Sequence, residues 1–529
     1  MRTPDTGSRT REHTAPVRGS PVRGSPGYPS GAKRRIVENL LILGTGQIAT
    51  WLLSMIYLLL IGRYLGPERQ GELALAGAMV GVLALGISLG METRITREVA
   101  RAPERTGVLV GAALRIRLLL LVPALAALFL AMDLAHFDEQ TRVVALILAL
   151  STALGSLSSL LMAALQGLER MSYGVRGAVG LNLLEIVLAL ILIALHGGVV
   201  LFALLTVPAT LILLVLSVIW FRRHARIARH LPPGEIRAML IESLPFWAGG
   251  IFLSFYIQID SVILGAIAGT GAVGIYAPAT RMLSVAFFLP GIVGAVTQPL
   301  LSRLGVSAGA DFRQVARKSL TLLLLGAVPL TIGLCSFSGP LILGIWGPVY
   351  RPSIPVLTVL GLCIIPSFLS MQAAGTLAAA NRQWVWTAVM AACCVLNPLF
   401  NLAIIPRAVA TWHNGALGAA YALLATELLM GAIALIVLRT ILRDRAFLRL
   451  ALQVAFAGAG QALMIRLGST LPAPLAQALG LALYLGLVLR LGALSPDERV
   501  LIWRVLRAKV GRRDGPARAT GEAETRISA

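Results

Sequence analysis

Charge is scarce in this chain. Of its 529 residues 13% are Asp, Glu, Lys or Arg, while 57% are hydrophobic. Soluble domains carry about a quarter charged residues, so a water-facing surface around a chain this long is excluded. Acids are scarcest, with 24 Asp and Glu against 46 Lys and Arg and a net charge of +22. No Gly-Lys dipeptide occurs, which excludes a Walker-type phosphate loop and direct drive by ATP. His13, His136, His196, His224, His230 and His413 fall in tails, loops and helix ends without ligand spacing, so no metal is expected. Cys335, Cys363, Cys393 and Cys394 sit in apolar runs as small hydrophobes and imply no disulfide framework. No large outer loop offers an acceptor site for a membrane transferase or polymerase, so an enzyme and a cofactor are not expected.

Hydrocarbon-compatible sequence is what the chain has instead. Mean hydropathy is +0.82, and about fourteen apolar runs of about 20 residues, each enough to cross some 30 Å, recur from end to end. The fold class is therefore an all-α polytopic membrane protein. Basic residues concentrate in alternate loops: Arg94, Arg97, Arg101 and Arg105; Arg222, Arg223, Arg226, Arg229 and Arg237; Arg303, Arg313, Arg317 and Lys318; Arg439, Arg443, Arg445 and Arg449. Such loops stay cytoplasmic, so both termini are expected inside. The same clustering accounts for the +22 without nucleic acid, as topological signals and anchors for anionic membrane lipids.

Residues 1–36, rich in Pro, Gly, Ser and Arg, are expected to form a disordered cytoplasmic tail. Segments 37–221 and 244–439 are read as two six-helix bundles joined by a cytoplasmic linker, 222–243. Two additional helices follow over 440–494, then an amphipathic helix and tail over 495–529, opened by a capping-box pattern at Ser495 to Glu498. The bundles repeat one pattern. "IGRYLGPERQGELALA" and "LGAIAGTGAVGIYAPA" set Gly62, Gly66 and Gly71 against Gly265, Gly269 and Gly274, an offset of 203 residues. An even number of runs lies between them, so the halves share an orientation and form a parallel pseudo-repeat. Carriers of this plan rock two bundles about a site at their interface. Glycines that merely mark tight turns between packed helices would give the same spacing.

Polar and ionisable side chains inside the apolar runs are the candidate site, because they are costly there and face a cavity or a partner. Gln47, Thr50, Ser54 and Tyr57 recur at helical spacing; Asn182 and Glu185 lie three apart, Asn397 and Asn401 four apart. They line a lumen or hydrogen-bond between packed helices. Glu427 lies about twelve residues into its run, near the midplane, as a proton or sodium site or a carboxyl bonded to a neighbouring helix. Asp260 and Arg281, counted from the ends of runs 244–267 and 275–301, stand level about 10 Å deep, so a salt bridge between them is expected. Arg115 is placed about a third of the way into the membrane, while Arg117 and Glu92 are near enough to its surface to snorkel.

Three segments carry a resemblance: "GRYLGPERQGELALAGAMVGVLALGISLGMETRITREVAR", "QIDSVILGAIAGTGAVGIYAPATRM" and "LNPLFNLAIIPRAVATWHNGALGAAYALLATELL". In that order they resemble the polysaccharide-flippase branch of the multidrug, oligosaccharidyl-lipid and polysaccharide exporter superfamily. The second has Asp260, Tyr276 and Arg281 where the family pattern has an acid, an aromatic and a base; in the third, the loop "RAVATWHN" after Pro406 is longer than the family's turn. The resemblance implies a flippase of a bacterial plasma membrane that moves a lipid-linked oligosaccharide, typically an undecaprenyl-diphosphate sugar repeat, from inner to outer leaflet by alternating access. Arg281, Arg115 and the polar side chains above would then meet the substrate, and Asp260, Glu185 and Glu427 would couple a proton or sodium ion or pair structurally. Polysaccharide polymerase or export machinery would be the partner. Lipid II flippases carry basic residues in helix 1, where this chain has Gln47, Thr50, Ser54 and Tyr57, which argues against a peptidoglycan precursor. A cation-coupled multidrug antiporter and a non-transport assembly scaffold are the alternatives; the first would have a carboxylate-lined pocket, the second no lumen.

Overall fold

The computed structural model describes residues 30–134, 138–305 and 309–492, and all regular structure among them is helical. The first half comprises α1 (Ser30–Ser88), α2 (Met91–Arg101), α3 (Thr106–Leu134), α4 (Glu139–Gly167), α5 (Met171–Ala194), α6 (Val199–Leu204) and α7 (Thr206–Arg222). The second comprises α8 (Glu235–Ala286), α9 (Phe288–Leu304), α10 (Ala310–Ile345), α11 (Ser353–Leu362), α12 (Ile364–Ala379), α13 (Gln383–Trp412) and α14 (Gly415–Val437), followed by α15 (Arg439–Leu442), α16 (Arg445–Leu467) and α17 (Ala473–Arg490). The amphipathic segment after Ser495 and most of the amino-terminal tail lie outside the described residues. Eleven helices are long and apolar enough to cross a membrane, or twelve when α11 and α12, bent by 41°, count as one.

Two of these elements reverse within themselves. Each contains one non-helical residue, Gly66 (φ 74°, ψ 176°) in α1 and Gly269 (φ 79°, ψ 173°) in α8, a left-handed φ that glycine adopts without a Cβ clash. Register reveals the reversal. In α1, Gly46 meets Val175 and Ser54 bonds Asn182, so the arm before Gly66 runs parallel to α5. Beyond the break, Gln140 bonds Glu72 and Ser159 bonds Glu92, so the chain there runs parallel to α4. Gly177 faces Met162 across the tight α4–α5 turn, which makes α4 and α5 antiparallel and therefore the two arms of α1 antiparallel as well. In α8, Tyr276, seven residues after the break, bonds Asp260, nine before it. Both elements are hairpins without a loop.

The hairpin tips meet each other. A Cβ added to Gly71 would lie 1.8 Å from the Thr270 carbonyl oxygen, and one added to Gly274 would lie 1.7 Å from that of Pro67. Positions 71 and 274, like 67 and 270, are 203 residues apart, so this is one contact made twice across a pseudo-two-fold axis. Backbone touches backbone, and only glycine permits it. Around this break end, Trp346 packs on Gly62 and Tyr350 donates to the Gly62 carbonyl at 2.9 Å.

At the opposite end, rich in arginine, the first turns of α8 belong to the packing of the first half. Met239 is fully buried in a cluster with Met91, Ile95 and Phe221. Arg105 donates to both Glu235 oxygens at 3.0 and 2.8 Å, and Arg94 pairs with Glu242 at 2.9 Å. Residues 235–243, expected within a linker, are thus helical. The additional helices join the second half where Arg317 pairs with Asp444, the amino-terminal cap of α16. The Ala446 amide and Arg317 hold the Asp444 carboxyl below the usual carboxylate range, so this join is ionised at neutral pH. The expected loop "RAVATWHN" is instead mostly helix: α13 runs through Pro406 to Trp412, and the chain turns at His413 (φ 50°) into the Asn414 cap of α14. Proline removes one backbone donor, which an apolar span tolerates when its neighbours re-satisfy the freed groups.

The Gly71→Val variant should be unable to close the break end. In a background lacking the four native cysteines, Thr270→Cys should label several-fold faster with a membrane-impermeant thiol reagent when Gly71→Val is present; equal rates would mean the contact does not form in the membrane.

Candidate functional site

A cavity of about 660 Å3 opens at the basic end of the first half, between the start of α1, α2, the end of α4 and the start of α5. Gln47, Thr50, Thr93, Gln166, Arg97 and Arg170 contribute its polar wall, together with Glu92. Charge in it is not balanced evenly. Glu92 accepts from the buried Arg117 at 2.7 Å and from Ser159 at 2.9 Å, while Arg117 also donates to the carbonyls of Ser156 and Ser88. The acid is therefore neutralised from behind. Arg97 and Arg170 are exposed and have no ion pair among the described residues, which leaves the cavity net positive and suited to an anion.

A second cluster is buried inside the second half, where α8, α12, α13 and α14 meet. Asp260 accepts from Asn401 at 2.7 Å and from Tyr276 at 3.3 Å, and Asn401 also donates to the Asn397 side chain at 3.0 Å. Glu427 accepts from Tyr256 at 2.9 Å and has Ser367 beside it. Asn397 donates to Thr426 at 3.4 Å. All these residues are buried, no Lys or Arg touches either carboxyl among the described residues, and the Asn401 side-chain oxygen has no donor there. The two buried acids have neutral donors only, and one Glu427 carboxyl oxygen, like the Asn401 oxygen, has no donor among the described residues, so the cluster has acceptor atoms free for a proton.

The sequence candidates are distributed between these places, with two corrections. Gln47 and Thr50 line the cavity, whereas Ser54 bonds Asn182 at 2.7 Å and so joins two helices. Tyr57 and Glu185 are neighbours, both half-buried. Asp260, Asn397, Asn401 and Glu427 come together. The expected Asp260–Arg281 salt bridge is absent: Arg281 is exposed and Tyr276 holds the place opposite the acid. Because the helices run up to Gly269 without a loop, Arg281 lies twelve residues from the break and Asp260 nine, a mismatch of about 4.5 Å. Five residues beyond Tyr276, Arg281 is also turned about 140° round the helix. Arg115 is likewise not in the cavity; it donates to the Arg229 carbonyl, while Arg117, about 200° away on α3, is the buried cation. Arg97, Arg170, Gln166 and Tyr256 were missed. Arg97 belongs to a basic stretch whose charge already had a topological explanation, Arg170 lies in the short α4–α5 turn, and only proximity to Gln47 in three dimensions sets them apart.

Arg117→Met should destabilise the protein by about 1.5–3 kcal/mol, as expected when the hydrogen bonds of a buried charged group are lost and the half-buried Glu92 loses its cation, and Arg115→Met by about 1 kcal/mol or less. Thermal unfolding of the two variants side by side checks the assignment; the reverse order would return the buried role to Arg115.

The sequence model of a family described as polysaccharide biosynthesis protein matches residues 36–305. No curated protein sequence matches the chain. Among solved structures, the lipid II flippase MurJ in an inward closed conformation superposes with a TM-score of 0.68 at 12% identity, covering 88% of this chain and 100% of that one. An inward-facing multidrug resistance MATE family transporter of the MOP superfamily gives 0.61 at 13% identity, covering 77% and 99%. A MOP superfamily transporter from Pyrococcus furiosus, described as having a binding pocket of reverse polarity, gives 0.54 at 15% identity, covering 77% and 95%. At these identities the likeness is one of fold.

Proposed function

The chain belongs to the polysaccharide biosynthesis protein family, and on that premise we propose that it is a secondary-type transporter flipping a lipid-linked oligosaccharide from the inner to the outer leaflet. The basic end faces the cytoplasm, and each arm of α1 and α8 crosses the bilayer, which brings the twelve candidate spans to fourteen. The observation that carries the reading is the cavity with two unpaired arginines beside amides and hydroxyls, open at the end from which such a substrate arrives. A sugar diphosphate cannot cross hydrocarbon bare, since each unpartnered polar group costs several kcal/mol. Arg97 and Arg170 offer paired donors to phosphate oxygens, and Gln47, Thr50 and Gln166 offer hydrogen bonds to sugar hydroxyls. The sealed break end keeps the headgroup from passing until the hairpin tips part. A multidrug antiporter of cationic compounds would need an unneutralised acid in this cavity, and Glu92 is already matched by Arg117.

Energy comes from the buried cluster in the second half. Asp260 and Glu427, with Asn397 and Asn401, bind a proton or a sodium ion in one access state and release it in the other. Once outside, the lipid-linked repeat passes to polymerase or export machinery for surface polysaccharide assembly.

Two experiments separate these parts. In proteoliposomes with a fluorescent undecaprenyl-diphosphate oligosaccharide, Arg97→Gln with Arg170→Gln should lower flipping at least about tenfold, the worth of one charge-assisted hydrogen bond, while thermal stability stays unchanged. Flipping at the wild-type rate would refute the substrate assignment. For coupling, Glu427→Gln and Asp260→Asn should each remove the response to an imposed proton or sodium gradient; a response of full size in both would make the cluster structural.

A further inference from the structure

We propose that a groove on the second half binds one anionic glycerophospholipid from the leaflet at the break end, the outer leaflet in the orientation above. The groove, about 450 Å3, lies between α10, the end of α11 and α16, and its wall includes Ile332, Cys335, Leu362, Ala462, Ile465 and Arg466. Its depth follows from the neighbouring helices. α10 and α16 run parallel, with Gly458 against Val328 and Ile332, and Gln461 donating to the Pro329 carbonyl. α16 starts beside Arg317 at the basic end and finishes at Leu467 after 23 residues, about 35 Å and one crossing. Arg466 therefore stands in the last turn of α16 towards the break end, beside Ser336 and about 12 Å short of Gly344, from where a long basic side chain reaches the headgroups above an apolar wall.

Arg466 is out of place by the rule that keeps basic residues on the other side. At this end Arg63 donates to the Gly344 carbonyl and Arg142 pairs with Asp133, while Arg69 and Arg351 are exposed without a side-chain partner among the described residues; of the unpaired ones, Arg466 is the one that lines the groove. Arg466 is exposed and has neither a hydrogen bond nor an ion pair among the described residues. A cation at the rim above an apolar groove matches a molecule whose phosphodiester is joined through glycerol and a carboxylic ester to an acyl chain, and favours a headgroup without a cation of its own. The bilayer supplies it at high local concentration. Bound there, the chain fills the space between α10 and α16, and the phosphate meets the guanidinium by paired hydrogen bonds. The lipid thereby packs the two additional helices against the second half from the side opposite the Arg317–Asp444 join.

The test uses the full chain in nanodiscs with photoactivatable acyl-diazirine phosphatidylglycerol or phosphatidylcholine, followed by peptide mapping. Labelling should concentrate on residues 331–336 and 462–466 and favour phosphatidylglycerol about fivefold, the effect expected of one basic residue near a membrane surface. Arg466→Gln should abolish that preference but keep the labelled positions, and Ile465→Trp should remove labelling there while leaving other lipid-facing helices labelled as before. Equal labelling by the two lipids in the wild type, or labelling spread evenly over the lipid-facing surface, would overturn the site. Competition by undecaprenyl diphosphate but not by unlabelled phosphatidylglycerol would give the groove to the tail of a polyprenyl substrate and overturn it too. None of these readouts depends on flipping, so they hold whatever the transport assay returns.

Discussion

The close approach of two backbones at the pseudo-two-fold axis governs the rest of the structure. Gly71 against Thr270 and Gly274 against Pro67 bring the tips of the two hairpins together with no side chain between them. Contact so short fixes where the halves meet, and the left-handed residues at Gly66 and Gly269 fix how sharply each chain turns back to make it. Joined at the break end, the halves present the cavity of the first half at the other end, beside the arginine-rich loops. A side chain at either glycine would hold the tips apart and change which end is open.

The two halves share a plan but divide the chemistry. In the second half Asp260 on α8 faces Asn401 on the parallel helix α13. The position 203 residues before Asp260 is Tyr57 on α1, and its neighbour on the parallel helix α5 is Glu185. The acid has changed sides of the helix pair. In the first half, positive charge gathers at the open mouth, with the one acid there neutralised by Arg117; in the second, acids are buried with neutral donors only. Separation matters physically for the coupling proposed above, because an arginine close to Asp260 or Glu427 would hold the acid permanently as its ion-pair partner.

Much of this plan was legible in the residues, and the failures have identifiable causes. Apolar runs and a glycine spacing repeated at 203 residues are local or periodic signals, and they led to the helices and to the paired glycines that meet at the axis. The Asp260–Arg281 pairing failed because depth was counted from the ends of apolar runs, while glycine lets the helices continue to the turning residue itself. Arg115 and Arg117 were exchanged because two residues along a helix are nearly opposite faces, and composition cannot tell which face meets α4. Pro406 was read as a stop, yet a helix packed among helices passes through it. Arg97 was hidden among the arginines around it and Arg170 in a short turn far from it in sequence; only folding brings the two to one cavity.

The contrast between the two ends bears on how such a molecule could move. At the basic end, α8 is tied to the first half by the bidentate Arg105–Glu235 pair, by Arg94–Glu242 and by the buried Met239, whose separation would expose apolar surface and strand charges. The break-end seal has no ion pair between the two hairpin tips among the described residues; around the two backbone contacts it is held by the Tyr350 and Arg63 hydrogen bonds to the Gly62 and Gly344 carbonyls and by a buried apolar cluster that includes Leu65, Leu75, Leu264 and Trp346. A two-state equilibrium shifts by the difference in ligand affinity between its states, so a ligand opens the break end only by as much as it discriminates between them. The strong contacts thus keep the amino-terminal turns of α8 with the first half through the cycle. Opening and closing must be taken up farther along α8, between that anchor and the break at Gly269.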